Sequence, residues 1–549
     1  MTKLSTNFLF LAAAGLLAVS CSSNDVTGND PNTSGNGSSS AAKRIITVSA
    51  SAAGDDSSTR VGYTQNTTNT SKADMFWQSG DQLGLFYAET SGSDLKQASM
   101  NLNSESVGKS VGSFTSTESI SGTPSCVVCP YSASTSLSGT TLSYTFPSKY
   151  TYTSVAKGAN SVNIPYYGSL KSGATVDNFS TTLTALSGVL AVKIPYLPKS
   201  SGYVILTSDQ KISGTFSTTV SSDATTDGFQ TSTTNTPTEK SVTINFSGAT
   251  EGENTDGNWF YFPLPVGTHN LSLQIVCIST SGSEKSYLYS TPQDISKKVI
   301  TKGKIVQGNL SKVTNNDSYT EVKPVTGKDN VYQSATNDNI YYIKGDKDNI
   351  WHEMVDLGLT TTNNKKLLFA TMNVSATSVY SIGSYFAWGE TATKSNYSKD
   401  TYKYYDASTS STTKYDYSKK NEKILEKDDD AAYVNWGTAF RMPTNGEFQK
   451  LSDTKTFTNS WATENKTNGW KFTKTGSTLS IFFPCTGICE ETYIGKNNTS
   501  NGYYWSSTAC PDHNTCACDL FFANTGMSFR TGGQAGRYSG ECVRPVAEL

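Results

Sequence analysis

From about Ile45 to Val313 the chain alternates apolar and polar residues in short runs. "ITVSA" (Ile46 to Ala50), "VLAVKI" (Val189 to Ile194), "VTINF" (Val242 to Phe246) and "LSLQIVCI" (Leu271 to Ile278) all keep a period of two. That period buries one face of a strand and leaves the other in solvent. Clusters of Ser, Thr, Gly and Asn separate the runs, as at Ser138-Gly139 and Lys199 to Gly202, which is the spacing of turns in sandwich folds. The length predicts two all-β sandwiches, residues 45–185 and 186–313. Cys277 falls on the apolar face with Leu271, Leu273 and Ile275, a core position. Cys126 and Cys129 sit three apart in an extended run, so they point to opposite faces, and Pro130 argues against a redox helix.

Residues 314–330 are polar, with Pro324 and Gly327, and predict a linker. Beyond them, residues 331–549 place aromatics in brief strands between long polar loops, with one helix signal. In "PTNGEFQKL" (Pro443 to Leu451), Thr444 and Glu447 form a capping box, and Phe448 and Leu451 share a face. This region predicts an α+β domain. Asp428-Asp429-Asp430 reads as an acidic turn at a helix start rather than a carboxylate site.

The 549 residues carry a formal net charge of −2 and only 16% charged side chains. There is no clustered basic footprint, so nucleic acid is excluded as a partner. Lys3 precedes the apolar run Phe8 to Val19, too short to span a bilayer but suited to a signal peptide over residues 1–20. Leu17-Ala18-Val19-Ser20-Cys21 resembles a bacterial lipoprotein box, which implies lipidation of Cys21 and attachment to the outer membrane. Residues 21–44 are Ser/Gly/Asn-rich, a flexible tether.

"TRVGY" (Thr59 to Tyr63), "FWQSGDQLGLFY" (Phe76 to Tyr87), "VCPYS" (Val128 to Ser132) and "VITKGKIVQGNL" (Val299 to Leu310) together resemble the fimbrillin (Mfa-like) family of surface lipoproteins. The resemblance covers about half the chain. It implies transthyretin-like sandwiches, arginine-specific processing and assembly with other fimbrial subunits by β-strand addition. The sandwich half holds two arginines, Arg44 and Arg60. Cutting after Arg60 removes the strand "IITVSAS", whereas cutting after Arg44 keeps it, so Arg60 is the expected site and Arg44 the alternative.

"VDLGL" (Val355 to Leu359), "GSYFAWGET" (Gly383 to Thr391), "LEKDDDAAYVNWGTAFRMPT" (Leu425 to Thr444), "GYYWSST" (Gly502 to Thr508) and "CVRPV" (Cys542 to Val546) resemble the Fibrobacter-type major paralogous (FISUMP) domain. That resemblance implies a C-type-lectin-like recognition scaffold in which Trp388, Trp436, Arg441 and Trp505 are structural. Ligand-stacking aromatics are then expected in the loops, at Tyr493 or among the tyrosines of residues 397–417.

The stretch "ACPDHNTCACD" (Ala509 to Asp519) concentrates chemistry. In an exported protein disulfides are the default, and Cys485, Cys489, Cys510, Cys516, Cys518 and Cys542 are an even set whose pairing sequence does not choose. A zinc site from Cys510, His513, Cys516 and Cys518 is the second reading. Calcium through Asp512 and Asp519 stays open, and no other cofactor is expected. The predicted ligand loop comprises Asp512, His513, Asn514 and Asp519, with Tyr493 beside it. The three histidines, His269, His352 and His513, accompany no nucleophile motif, so an enzyme is not expected. The leading expectation is a fimbrial tip subunit or adhesin that binds a glycan or protein ligand. A surface-anchored glycan-binding lipoprotein is the alternative, and a formylglycine-generating-type enzyme comes last.

Overall fold

The structure is a computed structural model that describes residues 46–49, 62–65, 73–152, 164–220, 228–231, 234–277, 286–291, 295, 297–416, 423–511 and 513–549. Cys21, Arg44, Arg60 and Asp512 lie outside the described residues, as do the signal peptide and tether. The protein is multidomain and predominantly β, with several sheets and, among the described residues, two six-residue α-helices, Ala431–Trp436 and Asn445–Lys450.

A seven-stranded sheet runs in the order Ile46–Ser49, Val111–Thr115, Leu95–Leu102, Gln82–Ala88, Thr123–Cys129, Tyr166–Ser169, Thr184–Ala185. Its strands feed two cores by alternation. Val127 and Cys129 join Leu83 and Leu85 on one face, while Cys126 and Val128 join Phe86 on the other. The opposite-face reading of the two cysteines therefore holds. A second sheet pairs Gly188–Leu197 antiparallel with Gly252–Leu264 and parallel with Ile305–Asn309. Val189, Ala191, Trp259 and Tyr261 pack toward the first core; Leu190, Val192, Ile194, Phe260 and Phe262 pack into a third with Cys277. One sheet thus serves two cores, which is why its strands read as near-continuous apolar runs.

Residue 185 is not a boundary in the hydrogen bonding. Thr141–Phe146 pairs with Ser213–Thr219, and Lys149–Tyr152 pairs with Ser241–Phe246, so strands from before 185 complete sheets after it. The predicted linker also differs. Thr320–Pro324 is a strand hydrogen-bonded between Ser286–Thr291 and Val331–Ser334, with Pro324 at its end, where a missing N–H is tolerated. A thirteen-stranded sheet therefore passes without a break from the N-terminal sheets into the C-terminal region, as far as Lys366–Ala370, Val546–Glu548 and Phe440–Arg441. Side chains pin the passage. Gln274 accepts from Trp351 N (3.0 Å) and donates to Trp351 O (2.7 Å), and Trp351 Nε1 donates to the Tyr203 hydroxyl (2.7 Å).

The C-terminal region adds a five-stranded sheet in the order Tyr385–Phe386, Glu541–Cys542, Asn501–Ala509, Ala517–Ala523, Gly526–Arg530, and a three-stranded sheet of Phe457–Glu464, Thr467–Lys474 and Ser480–Pro484. Trp388, Trp436 and Trp505 are buried in its core, and Trp388 and Trp505 donate their indole N–H groups to Ser506 O and Phe386 O. Thr444 and Glu447 form the predicted capping box, with Phe448 and Leu451 fully buried below it.

Candidate functional site

The acidic turn organises the centre of the C-terminal region. Asp430 caps helix Ala431–Trp436, its Oδ1 accepting from Ala432 N (2.9 Å) and Tyr433 N (3.1 Å) while Oδ2 accepts from Met442 N (2.8 Å). Burial pushes its carboxyl up to about 6, against those three donors. Asp429 accepts four hydrogen bonds, from Tyr404 (2.5 Å), Tyr415 (2.5 Å), Lys403 (3.1 Å) and Lys414 (2.6 Å). Burial alone would raise Asp429; these donors outweigh it and hold the carboxyl down at about 2. Gly437 ends the helix at φ 125°, where a Cβ would strike Asp346 Oδ1, which caps Thr438 N instead.

This arrangement corrects the expectation for the tyrosines. Tyr397, Tyr402, Tyr404 and Tyr415 are buried, and their hydroxyls donate to Tyr385 O, Trp388 O and the two oxygens of Asp429. These four are core posts rather than ligand platforms; Tyr405 is half-buried, and Tyr417 lies outside the described residues. Tyr493 does match its expected exposure, at 69%, and stands beside the equally unusual Ile494 on the hairpin of Ile488–Glu490 and Tyr493–Lys496.

The loop before Ala517–Ala523 also departs from expectation. His513 is exposed, its ring lying over Gly533, and Asn514 is half-buried with its carbonyl accepting from Thr412. Asp519 is fully buried and both its oxygens accept from Arg530, with Glu541 beside them, so it is closed to a ligand or to calcium. Cys485, Cys489, Cys510, Cys516, Cys518 and Cys542 are free, buried thiols, so the expected disulfide brace is not formed. Each has its own neighbours: Cys510 donates to Thr531 O (2.5 Å) and accepts from Gly533 N (3.3 Å), Cys489 accepts from Gly495 N (3.4 Å), and Cys542 donates to Ile382 O (3.3 Å). Burial pushes the thiols of Cys485 and Cys518 up to about 12 and that of Cys489 to about 11, which disfavours the nucleophilic thiolate. The zinc set of Cys510, His513, Cys516 and Cys518 does not assemble either: no group of three or more His, Cys, Asp or Glu side chains among the described residues could hold a metal. Arg537, which sequence reasoning left unassigned, is the actual brace. Fully buried, it donates from Nε to Cys516 O (2.8 Å) and from Nη2 to Tyr415 O (2.9 Å), and it lies 4.6 Å over the Trp388 ring.

A cleft of about 720 Å³ opens between the turn at Thr361, helix Asn445–Lys450 and the end of Val546–Glu548. Arg441 crosses it, donating to both oxygens of Glu447 (2.7 and 2.6 Å) and to Glu548 (2.9 Å), while Lys365 reaches Glu548 at 3.4 Å. Burial opposes ionisation of Glu447, and Arg441 outweighs it. Exposed Ile424 adds an apolar wall. Of the other charged groups in the lining, Asp430 is held by backbone N–H groups and Lys450 donates to Thr360 O. No sequence signal marked this cleft, because its walls come from segments up to 187 residues apart, Thr361 to Glu548.

No family model matches the sequence, and no curated protein does. Solved structures do. A candidate cell adhesion protein from Bacteroides uniformis overlays 49% of this chain and 91% of its own, at 12% identity and TM-score 0.27. One from Bacteroides ovatus covers 51% and 97%, at 11% and 0.28. A fimbrial protein from Bacteroides ovatus covers 92% and 98%, at 12% and 0.21. The chain is similar in structure to Bacteroides adhesion and fimbrial proteins. Overlays this loose do not define a fold, which rests here on the strand pairing itself.

Proposed function

We propose that this protein is a non-enzymatic cell-surface adhesin subunit, placed at the tip of a pilus and assembled by β-strand addition after cleavage at Arg60. The carrying observation is the position of Ile46–Ser49. Among the described residues this strand is the edge of the seven-stranded sheet and pairs with Val111–Thr115 alone, through four registered residues. The next strand, Gly62–Gln65, belongs to a separate ladder with Ala73–Phe76. A cut at Arg60 falls between the two, so it would release one edge strand and leave the N–H and C=O row of Val111–Thr115 open to a strand from another subunit. A cut at Arg44 would leave that edge covered. The chain leaving the sandwiches is Thr320–Pro324, hydrogen-bonded on both sides and so not a free donor strand, which favours a terminal position. In this reading the sandwiches are transthyretin-like, the C-terminal region is a C-type-lectin-like recognition domain, and Tyr493, His513 and the Arg441 cleft face a glycan.

The lipoprotein box ending at Cys21 favours one second reading, a lipid-anchored glycan-binding protein that never enters a pilus. One experiment separates them. The full chain and Arg60→Ala are incubated with an arginine-specific protease and stalk subunits, then followed by intact mass and immunogold microscopy. Cleavage after Arg60 and labelling at single fibre ends is expected for the native chain and lost in the variant. Equal incorporation of Arg60→Ala, or no incorporation of either, would sink the tip reading.

A further inference from the structure

A second cleft, of about 570 Å³, lies where the sandwiches meet the C-terminal region. One wall is Thr207 to Lys211, Lys240, Ser241 and Ser272 to Gln274; the other includes Lys347, Asp348, His352, Ser375, Ser384 and Trp436. Three lysines, Lys211, Lys240 and Lys347, face two carboxylates, and both carboxylates are engaged elsewhere. Asp209 accepts from Asn270 N (2.8 Å) and Nδ2 (2.6 Å), while Asp348 accepts from Ile350 N (3.1 Å) and pairs with His352 Nε2 (3.0 Å). The three lysines enter no ion pair among the described residues. His352 is buried at the back of the cleft with its ring stacked on Trp436 at 3.6 Å, so the lysines are the groups left to meet a ligand.

We propose that this junction cleft binds an acidic saccharide, whose carboxylate or sulfate ester is held by Lys211, Lys240 and Lys347. The class follows from the walls. The unpaired charge is cationic, and small hydroxyl side chains such as Ser272, Ser375 and Ser384 suit a polyol. The two rings in the lining, His352 and Trp436, are stacked on each other and buried, so neither offers an exposed face to a nucleobase. The proposal rests on the adhesin reading for its biological setting, and it places a site on both sides of the sandwich passage, so the site exists only when the two parts are docked.

The test is calorimetric titration of the full chain with three size-matched oligosaccharides: a sulfated heparin-type chain, an oligogalacturonate and a neutral malto-oligosaccharide. At least one acidic chain should bind and the neutral one should not, and which acidic chain binds separates sulfate from carboxylate. Lys240→Ala with Lys347→Ala, both exposed positions, should weaken binding at least tenfold. Lys109→Ala with Lys171→Ala, an equal charge change on the first sheet's loops, should alter it less than twofold. Binding of neither acidic chain, or equal loss in the two double variants, overturns the proposal. A chain that binds the acidic saccharide but is not taken into pili keeps this site and overturns the pilus reading alone.

Discussion

Replacing Asp429 with asparagine should cost stability at neutral pH and almost none in acid. The carboxylate is buried, takes four hydrogen bonds from Tyr404, Tyr415, Lys403 and Lys414, and titrates at about 2 rather than its ordinary 3.8. That depression is worth roughly 2 kcal/mol in favour of the folded state once the carboxyl is ionised in both states. Lys403 is half exposed, so its share is screened, and Lys414 with the two tyrosines carries most of the effect. The sign follows from proton counting. Between about pH 4 and 2 the unfolded chain binds a proton at Asp429 that the folded chain does not, so native stability falls as pH falls through that window. The amide of the variant takes up no such proton in either state. The gap between the native protein and Asp429→Asn should therefore be about 2 kcal/mol at pH 6 and shrink steadily toward pH 2. A protein of several domains is poorly served by one global transition, so the readout is urea-dependent hydrogen exchange in peptides from residues 397–416 and 427–442. A gap that stays constant from pH 6 to 2.5, or is absent at pH 6, would refute the assignment of Asp429 as the ionised hub of the tyrosine loop.

Three further outcomes are expected. Arg537→Leu removes the donors to Cys516 O and Tyr415 O, so amide exchange should accelerate in both the 510–516 loop and the 404–415 loop, with little change in peptides from residues 188–197. Thr444→Ala deletes one half of the capping box and should lower stability by about 1 kcal/mol in the C-terminal unfolding step, measured by urea melts. Phe260→Ala empties a fully buried site that packs edge-on against Phe246, and about 3 to 5 kcal/mol should be lost from the unfolding of the core that holds it, in the same melts.

The short apolar runs "VLAVKI" and "LSLQIVCI" between turn signals were enough to determine strands, and Thr444-x-x-Glu447 was enough to determine a helix start, because each depends on neighbours within a few residues. The acidic turn was legible for the same reason, whereas the burial of Trp388, Trp436 and Trp505 was an expectation carried by the domain resemblance. What alternation does not carry is the partner of each face. Only the tertiary structure decided that Gly188–Leu197 divides its two faces between two cores, that Thr141–Phe146 crosses residue 185 to find Ser213–Thr219, and that the polar stretch at 320–324 is a strand. The site shows the same division. Tyr493 is exposed as its polar loop suggested, but Tyr404 and Tyr415, equally polar in context, are buried because Asp429 arrives from another segment to satisfy their hydroxyls. Composition and compartment pointed the cysteines toward disulfides, whereas long-range packing gave the loop to Arg537, whose single guanidinium reaches two backbone carbonyls 101 residues apart in sequence, Tyr415 and Cys516. Local periodicity is written in the order of residues; the pairing of buried polar groups is settled only when distant segments meet and each must find a partner.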